Sequence, residues 1–167
     1  MTSNIKPASS PASMRFTLLT LVAALIAAVA ATTSASLGWP VWAMFIGWVA
    51  FFTRGHSARD AFYSYLCLVI GFTLGIGAAL AVAALVPLIG PLAFGPVVFV
   101  VAMVVVSMRA LAPVNNVPAY FLGLITFFAA HIEPGLLAVS ELAAVSGLGS
   151  IAGWTTHRLQ TKIFPAS

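Results

Sequence analysis

Charge is what this sequence of 167 residues has least of: Lys, Arg, Asp and Glu together make up 6% of it. An ordinary soluble domain carries roughly a quarter. Seven basic and three acidic side chains cannot build a water-facing surface over this length, so lipid is expected to be the solvent for most of the chain. The scarcity of acidic groups argues against an ion pump or a cation pore ringed by carboxylates. Cysteine is almost absent too. Cys67 stands alone in an apolar run, which excludes an intrachain disulfide and a cysteine-cluster metal site. The three histidines fall in separate loops, and no phosphate loop or nucleophile–base–acid set is present. The chain is therefore expected not to be an enzyme, and to hold no cofactor or metal. A net charge of +4 would invite a nucleic-acid partner in a soluble protein; here its distribution says otherwise.

What is abundant is apolar: 62% of residues are hydrophobic and the mean hydropathy is +1.11. Charges, prolines and glycines divide the chain into six apolar segments. They are Phe16–Ser36, the short Leu37–Phe52, the long Ala61–Val86, Leu92–Met108, Val114–Ala130 with Pro118 inside it, and Leu136–Trp154. The first resembles a secretory signal, but it is as long as a full span and more spans follow, so it reads as the first helix. Residues 1–13 read as a disordered cytoplasmic tail, 14–157 as a six-helix transmembrane domain, and 158–167 as a cytoplasmic C-terminal tail. With the N-terminus inside, Lys6, Arg15, Arg54, Arg59, Arg109, Arg158 and Lys162 all fall on the cytoplasmic side. The opposite connections, around Gly38, Pro87–Pro91 and His131–Gly135, contain no Lys or Arg. This positive-inside bias in short loops supports both the span number and the orientation.

The sequence also repeats. Phe45-x-Gly47-x-x-x-Phe51-Phe52 in the second segment recurs as Phe121-x-Gly123-x-x-x-Phe127-Phe128 in the fifth, and the same register pairs Gly71 with Gly147 and Gly77 with Gly153. Three helices per half is an odd number, so the halves, about 16–86 and 91–157, enter the membrane from opposite sides. An all-α fold of six transmembrane helices in two inverted three-helix repeats follows. In transporters, short or Gly/Pro-interrupted segments at corresponding positions point to the solute path. The second and fifth segments fit, opened by Trp39-Pro40 and by Asn115-Asn116-Val117-Pro118.

Each motif has a packing reading and a functional one. Gly47 and Gly123 allow close helix approach, flanked by the aromatics; alternatively Phe45, Phe51, Phe52, Phe121, Phe127 and Phe128 form apolar constrictions around a narrow pore. Asn115 and Asn116 read first as a helix cap, and otherwise as amides at the mouth of a solute path. Glu141 lies either within the sixth segment, where a carboxylate is functional by default, or at its interfacial start. The turn holding Arg54, His56, Arg59 and Asp60 suits lipid headgroups.

The size, the architecture and the doubled Phe-x-Gly-x-x-x-aromatic-Phe pattern, with Gly149 to Gly153 in the last helix, resemble the YcdZ-like family of small bacterial inner-membrane proteins, a domain of unknown function. The resemblance covers about residues 16–157 and implies a multi-pass protein of the bacterial inner membrane, with no substrate attached. The expected function is a channel or facilitator for a small neutral or weakly polar solute, such as urea, an amide or water. The bilayer and further copies of the chain in a homo-oligomer are its expected partners, with no nucleic acid. The alternative is a non-transporting membrane subunit or sensor that works by packing against a partner.

Overall fold

The computed structural model describes residues 11–163. Residues 1–10 of the expected tail at 1–13 and the last residues of the C-terminal tail lie outside them; residues 11–13, expected to be disordered, open the first helix instead. Among the described residues the chain is all-helical, with six α-helices: α1 (Pro11–Ser36), α2 (Val41–Phe52), α3 (Ala58–Ile89), α4 (Phe94–Ser107), α5 (Val117–Ala130) and α6 (Leu136–Ile163). Short 3₁₀ turns flank α4 at Gly90–Ala93 and Met108–Ala110.

Local chemistry sets most of the boundaries. Pro40 precedes α2. Ser57 caps α3 by accepting the Asp60 amide at 3.0 Å. Gly90 ends α3 with φ 59°, a left-handed conformation that a side chain would resist. Two ends differ from expectation. α3 runs to Ile89, three residues beyond Val86, with Pro87 inside its final turn; only the residues after the proline are left to continue the helix, and Gly90 ends it. α6 continues through Thr155-Thr156-His157-Arg158 to Ile163; Thr155 and Thr161 turn their hydroxyls back onto helix carbonyls, so these polar residues do not break it. The start of the expected C-terminal tail is therefore helical.

The expected second and fifth spans are the shortest elements with α4. At 12 and 14 residues, α2 and α5 are about 18 and 21 Å long, less than the roughly 30 Å of a bilayer core. Six full-length spanning helices are thus not present. Two helical stretches, 14–36 and 58–110, are long and apolar enough to cross a membrane.

Packing divides the helices into two groups. α2 packs chiefly on α6, with α1 against both of them; α5 packs chiefly on α3, with α4 beside it. Both groups rest on glycines, and the contacts come in matched sets. A Cβ on Gly47 would overlap the Ser146 carbonyl of α6; one on Gly123 would overlap the Leu68 carbonyl of α3. Gly149 meets the Met44 carbonyl, and Gly71 the Tyr120 carbonyl. A Cβ on Gly153 would stand 3.2 Å from Phe51 Cδ1, and one on Gly75 2.7 Å from Phe127 Cδ1. The outer faces, by contrast, are apolar and open: Phe16, Val29, Leu80, Phe99 and Ile125 are all exposed. Soluble monomers do not present apolar surface on this scale.

One end of the bundle gathers the charge. An Arg54 guanidinium nitrogen donates to the Pro113 carbonyl, joining the α2–α3 turn to the α4–α5 connection. The His56 and His157 rings stack at 4.6 Å, joining that turn to the end of α6. Gln160 donates to the Leu19 carbonyl of α1 at 2.8 Å. Arg54, Arg59, Arg109, Arg158 and Lys162 therefore share one end, while Glu133 and Glu141 belong to the opposite one.

Candidate functional site

The repeated aromatic motif behaves identically in its two copies. Phe45 and Phe121 are 42% and 39% exposed, and Phe52 and Phe128 are 44% and 45%; Phe51 and Phe127 are buried at 0% and 3%. Helical spacing explains the split: positions 45, 49 and 52 share one face of α2, and 121, 125 and 128 share one face of α5. Phe51 and Phe127 point the other way, toward Gly153 and Gly75. Gly47 and Gly123 are buried in helix contacts. α2 and α5 start from opposite ends of the bundle, so Phe51 lies toward the basic end and Phe127 toward the other. Phe51 stands 5.8 Å from the His56 ring and 6.2 Å from His157.

Asn115 and Asn116 part company. Asn115 is exposed. Asn116 occupies the N-cap position of α5, but its side chain does not cap the helix. Its Nδ2 donates instead to Thr53 Oγ1 at 2.7 Å and Ser64 Oγ at 2.9 Å, linking the end of α2, the start of α3 and the start of α5. The cap reading is corrected accordingly. Asn116 is 6% exposed, and this amide with two hydroxyls is a buried neutral cluster at the basic end. Such groups can exchange hydrogen bonds with a neutral polar solute, and none is a strong base. Beside them, Cys67 Sγ lies 3.4 Å from the Val114 carbonyl, which Tyr120 Oη also approaches at 2.9 Å.

Glu141 is exposed on the second turn of α6, away from the cluster. Asp60 is held below its usual carboxyl range chiefly by the Ser57 hydroxyl, with Arg54 and Arg59 adding to the effect. Burial, helped by the neighbouring His56, holds His157 below the usual imidazole value. Among the described residues no group of three or more His, Cys, Asp or Glu could hold a metal ion.

Sequence reasoning therefore singled out Asn116 without its partners. Thr53 and Ser64 are isolated hydroxyls in apolar runs, and only their helical placement brings them to the amide. The His56–His157 stack joins residues from turns read as separate. Nothing in the spacing signals either.

The family model described as "Protein of unknown function (DUF1097)" matches residues 20–160, and the chain belongs to that family. No curated protein and no solved structure matches it.

Proposed function

We propose that this member of the DUF1097 family is a multi-pass protein of the bacterial cytoplasmic membrane, built from two inverted three-helix repeats, that lets a small neutral or weakly polar solute cross. The termini and the basic end face the cytoplasm, in keeping with the positive-inside bias. The observation that carries the repeat is the matched burial and glycine contact of the two motif copies. Helix α5 corresponds to α2 at a spacing of 76, as 44 to 120, 47 to 123 and 51 to 127. Helix α6 corresponds to α3 at 78, as 68 to 146, 71 to 149 and 75 to 153. The connections that follow α2 and α5 are equally long, but α5 at 14 residues is two longer than α2 at 12, which accounts for the shift, and the sequence pairing of Gly71 with Gly147 gives way to Gly71 with Gly149. The finer name of the YcdZ-like family fits the same residues.

The repeats interlock, so the solute path runs between the α1–α2–α6 and α3–α4–α5 groups rather than between sequence halves. Phe51 and Phe127, buried at equivalent places near opposite ends, would act as aromatic gates on that path. The Asn116–Thr53–Ser64 cluster offers hydrogen bonds on the cytoplasmic side of the path. Their neutrality suits an uncharged solute such as urea or a simple amide.

Stopped-flow light scattering on proteoliposomes tests this, with urea, acetamide, glycerol and water gradients. Faster equilibration than empty liposomes for one solute, lowered by Asn116→Ala and altered by Phe127→Trp, is the expected result. Rates equal to empty liposomes for all four would remove the reading. The second reading, a subunit or sensor that acts by packing against another membrane protein, draws on the glycine-closed interior and on the open apolar grooves of the outer faces. Obligate co-purification with a second membrane protein would favour it.

A further inference from the structure

A groove of about 430 Å³ runs along the outside of the bundle between the start of α3 and the end of α6. Ala58, Ala61 and Tyr65 form one wall; Gly147, Ser150 and Trp154 form part of the other. The helices are antiparallel here, with Tyr65 beside Gly147 and Ala58 at the Trp154 end. The walls run from 58 to 65 and from 147 to 154, and that helical rise makes the groove roughly 10 Å long. Its two hydroxyls are already spent inward: Tyr65 donates to the Ala143 carbonyl at 2.8 Å, and Ser150 to the Gly47 carbonyl at 2.9 Å. The surface left to an occupant is therefore almost wholly apolar.

The charged end of this groove is what identifies the occupant. Arg59 follows Ala58 directly, with its guanidinium 5.7 Å from the Tyr63 ring centre. Arg158 lies one turn beyond Trp154, with its guanidinium 5.4 Å from the indole that lines the groove. Among the described residues, neither arginine makes an ion pair; the one carboxylate nearby, Asp60, pairs with Arg54 at 3.5 Å. Lys162 stands one further turn along α6. An apolar slot ending in two guanidinium groups that make no direct ion pair matches a molecule with a hydrocarbon chain and an anionic head.

We propose that this groove binds one anionic phospholipid of the cytoplasmic leaflet, with an acyl chain between α3 and α6 and its phosphate held by Arg59 and Arg158. Arginine presents several donors in a planar fork that suits phosphate oxygens. Basic pockets between helices on the cytoplasmic side of a membrane recognise such headgroups. The site rests on the membrane reading above and is independent of whether the chain conducts a solute. Bound there, the lipid would bridge the two helix groups at their cytoplasmic end, so leaflet composition would bias how readily they separate.

The test is native mass spectrometry of the full chain in detergent, offered equimolar phosphatidylglycerol and phosphatidylcholine. One phosphatidylglycerol should be retained in preference. Arg59→Gln and Arg158→Gln should each lower that preference about fivefold, while Arg158→Lys keeps most of it. Ala61→Trp, which fills the groove, should abolish retention without changing the melting transition of the lipid-free protein. Equal retention of both lipids, or a preference that survives the double arginine substitution, would overturn the proposal. So would a wild-type dimer that Ala61→Trp converts to monomer, because the groove would then seat a second copy. Alkaline carbonate washing of membranes separates the two levels: release of the chain would defeat the membrane reading itself. Retention without lipid preference would defeat this inference alone.

Discussion

Adding a single methyl group at Gly123 probes the helix packing most sharply. A Cβ there would stand 2.8 Å from the Gly71 Cα, besides overlapping the Leu68 carbonyl. Carbon atoms sit comfortably at about 3.5 Å or more, and the Leu68 carbonyl oxygen is nearer still than the Gly71 Cα, so α3 and α5 would have to separate by roughly 1 Å. The obstacles are backbone atoms, which no rotamer change can move. A radial gap of that size forfeits a quarter to a half of the dispersion attraction across the contact, and overpacking of this kind costs about 1–3 kcal/mol. Gly77 is the internal control. Nothing lies within 4 Å of a Cβ built there, so alanine should be neutral or stabilise the helix by up to about 1 kcal/mol. Reversible unfolding in mixed micelles, followed by tryptophan fluorescence, reads both. Gly47→Ala should cost at least as much as Gly123→Ala, since a Cβ at 47 would overlap the Ser146 backbone more deeply than one at 123 overlaps that of Leu68. A Gly123→Ala protein as stable as wild type, or a Gly47→Ala protein more stable than Gly123→Ala, would refute the reasoning.

Phe51→Ala and Phe127→Ala should each destabilise by about 3 kcal/mol through the cavity left behind; Phe52→Ala and Phe128→Ala, at exposed positions, should shift the same unfolding curve little. Asn116→Ala leaves the Ser64 and Thr53 hydroxyls without their amide donor and should cost about 1–3 kcal/mol in thermal unfolding. Acid should weaken the basic end in two steps. The imidazole of His157 is held below 6.5, so the folded state resists its protonation, and stability should fall as the pH drops from about 6.5 through that lowered value and then level off. His157→Ala should flatten this slope in melting temperature against pH. The Asp60 contribution, with its carboxyl held below 3.8, should disappear only as the pH falls through that lowered value.

Much of the helical order was legible because the helices are apolar runs separated by charges, prolines and glycines. Apolar length and proline and glycine punctuation marked off the six helices, though not the lengths of all of them. The motif at 45–52 and 121–128 was visible because the equivalent helices carry it in ungapped register. The α3–α6 correspondence was misread by two residues: glycines are frequent in both helices, so alignment at the spacing of α2 and α5 still found matches. Only the contacts of Gly71 with Tyr120, and of Gly149 with Met44, set the true pairing. The length of α2 was overestimated because the turn residues Leu37–Pro40 are themselves apolar and hydropathy cannot tell them from helix. The site was less legible. A cap and a buried amide donor look alike in sequence, and which one Asn116 becomes depends on Thr53 and Ser64, more than fifty residues away. Phe51 and Phe45 carry the same side chain; helical phase alone puts one in the core and the other outside.

The central claim is an inverted bundle in the membrane with its basic end in the cytoplasm, and single-cysteine labelling of intact cells tests it most directly. In a Cys67→Ala background, Leu37→Cys, Leu88→Cys and Leu136→Cys occupy exposed positions at one end, while Ser57→Cys and Leu111→Cys are exposed at the other. A membrane-impermeant maleimide should label the first three from outside and reach the last two only after the membrane is opened. Labelling of Ser57→Cys and Leu111→Cys in intact cells, with the other three protected, or equal labelling of all five, would contradict the account.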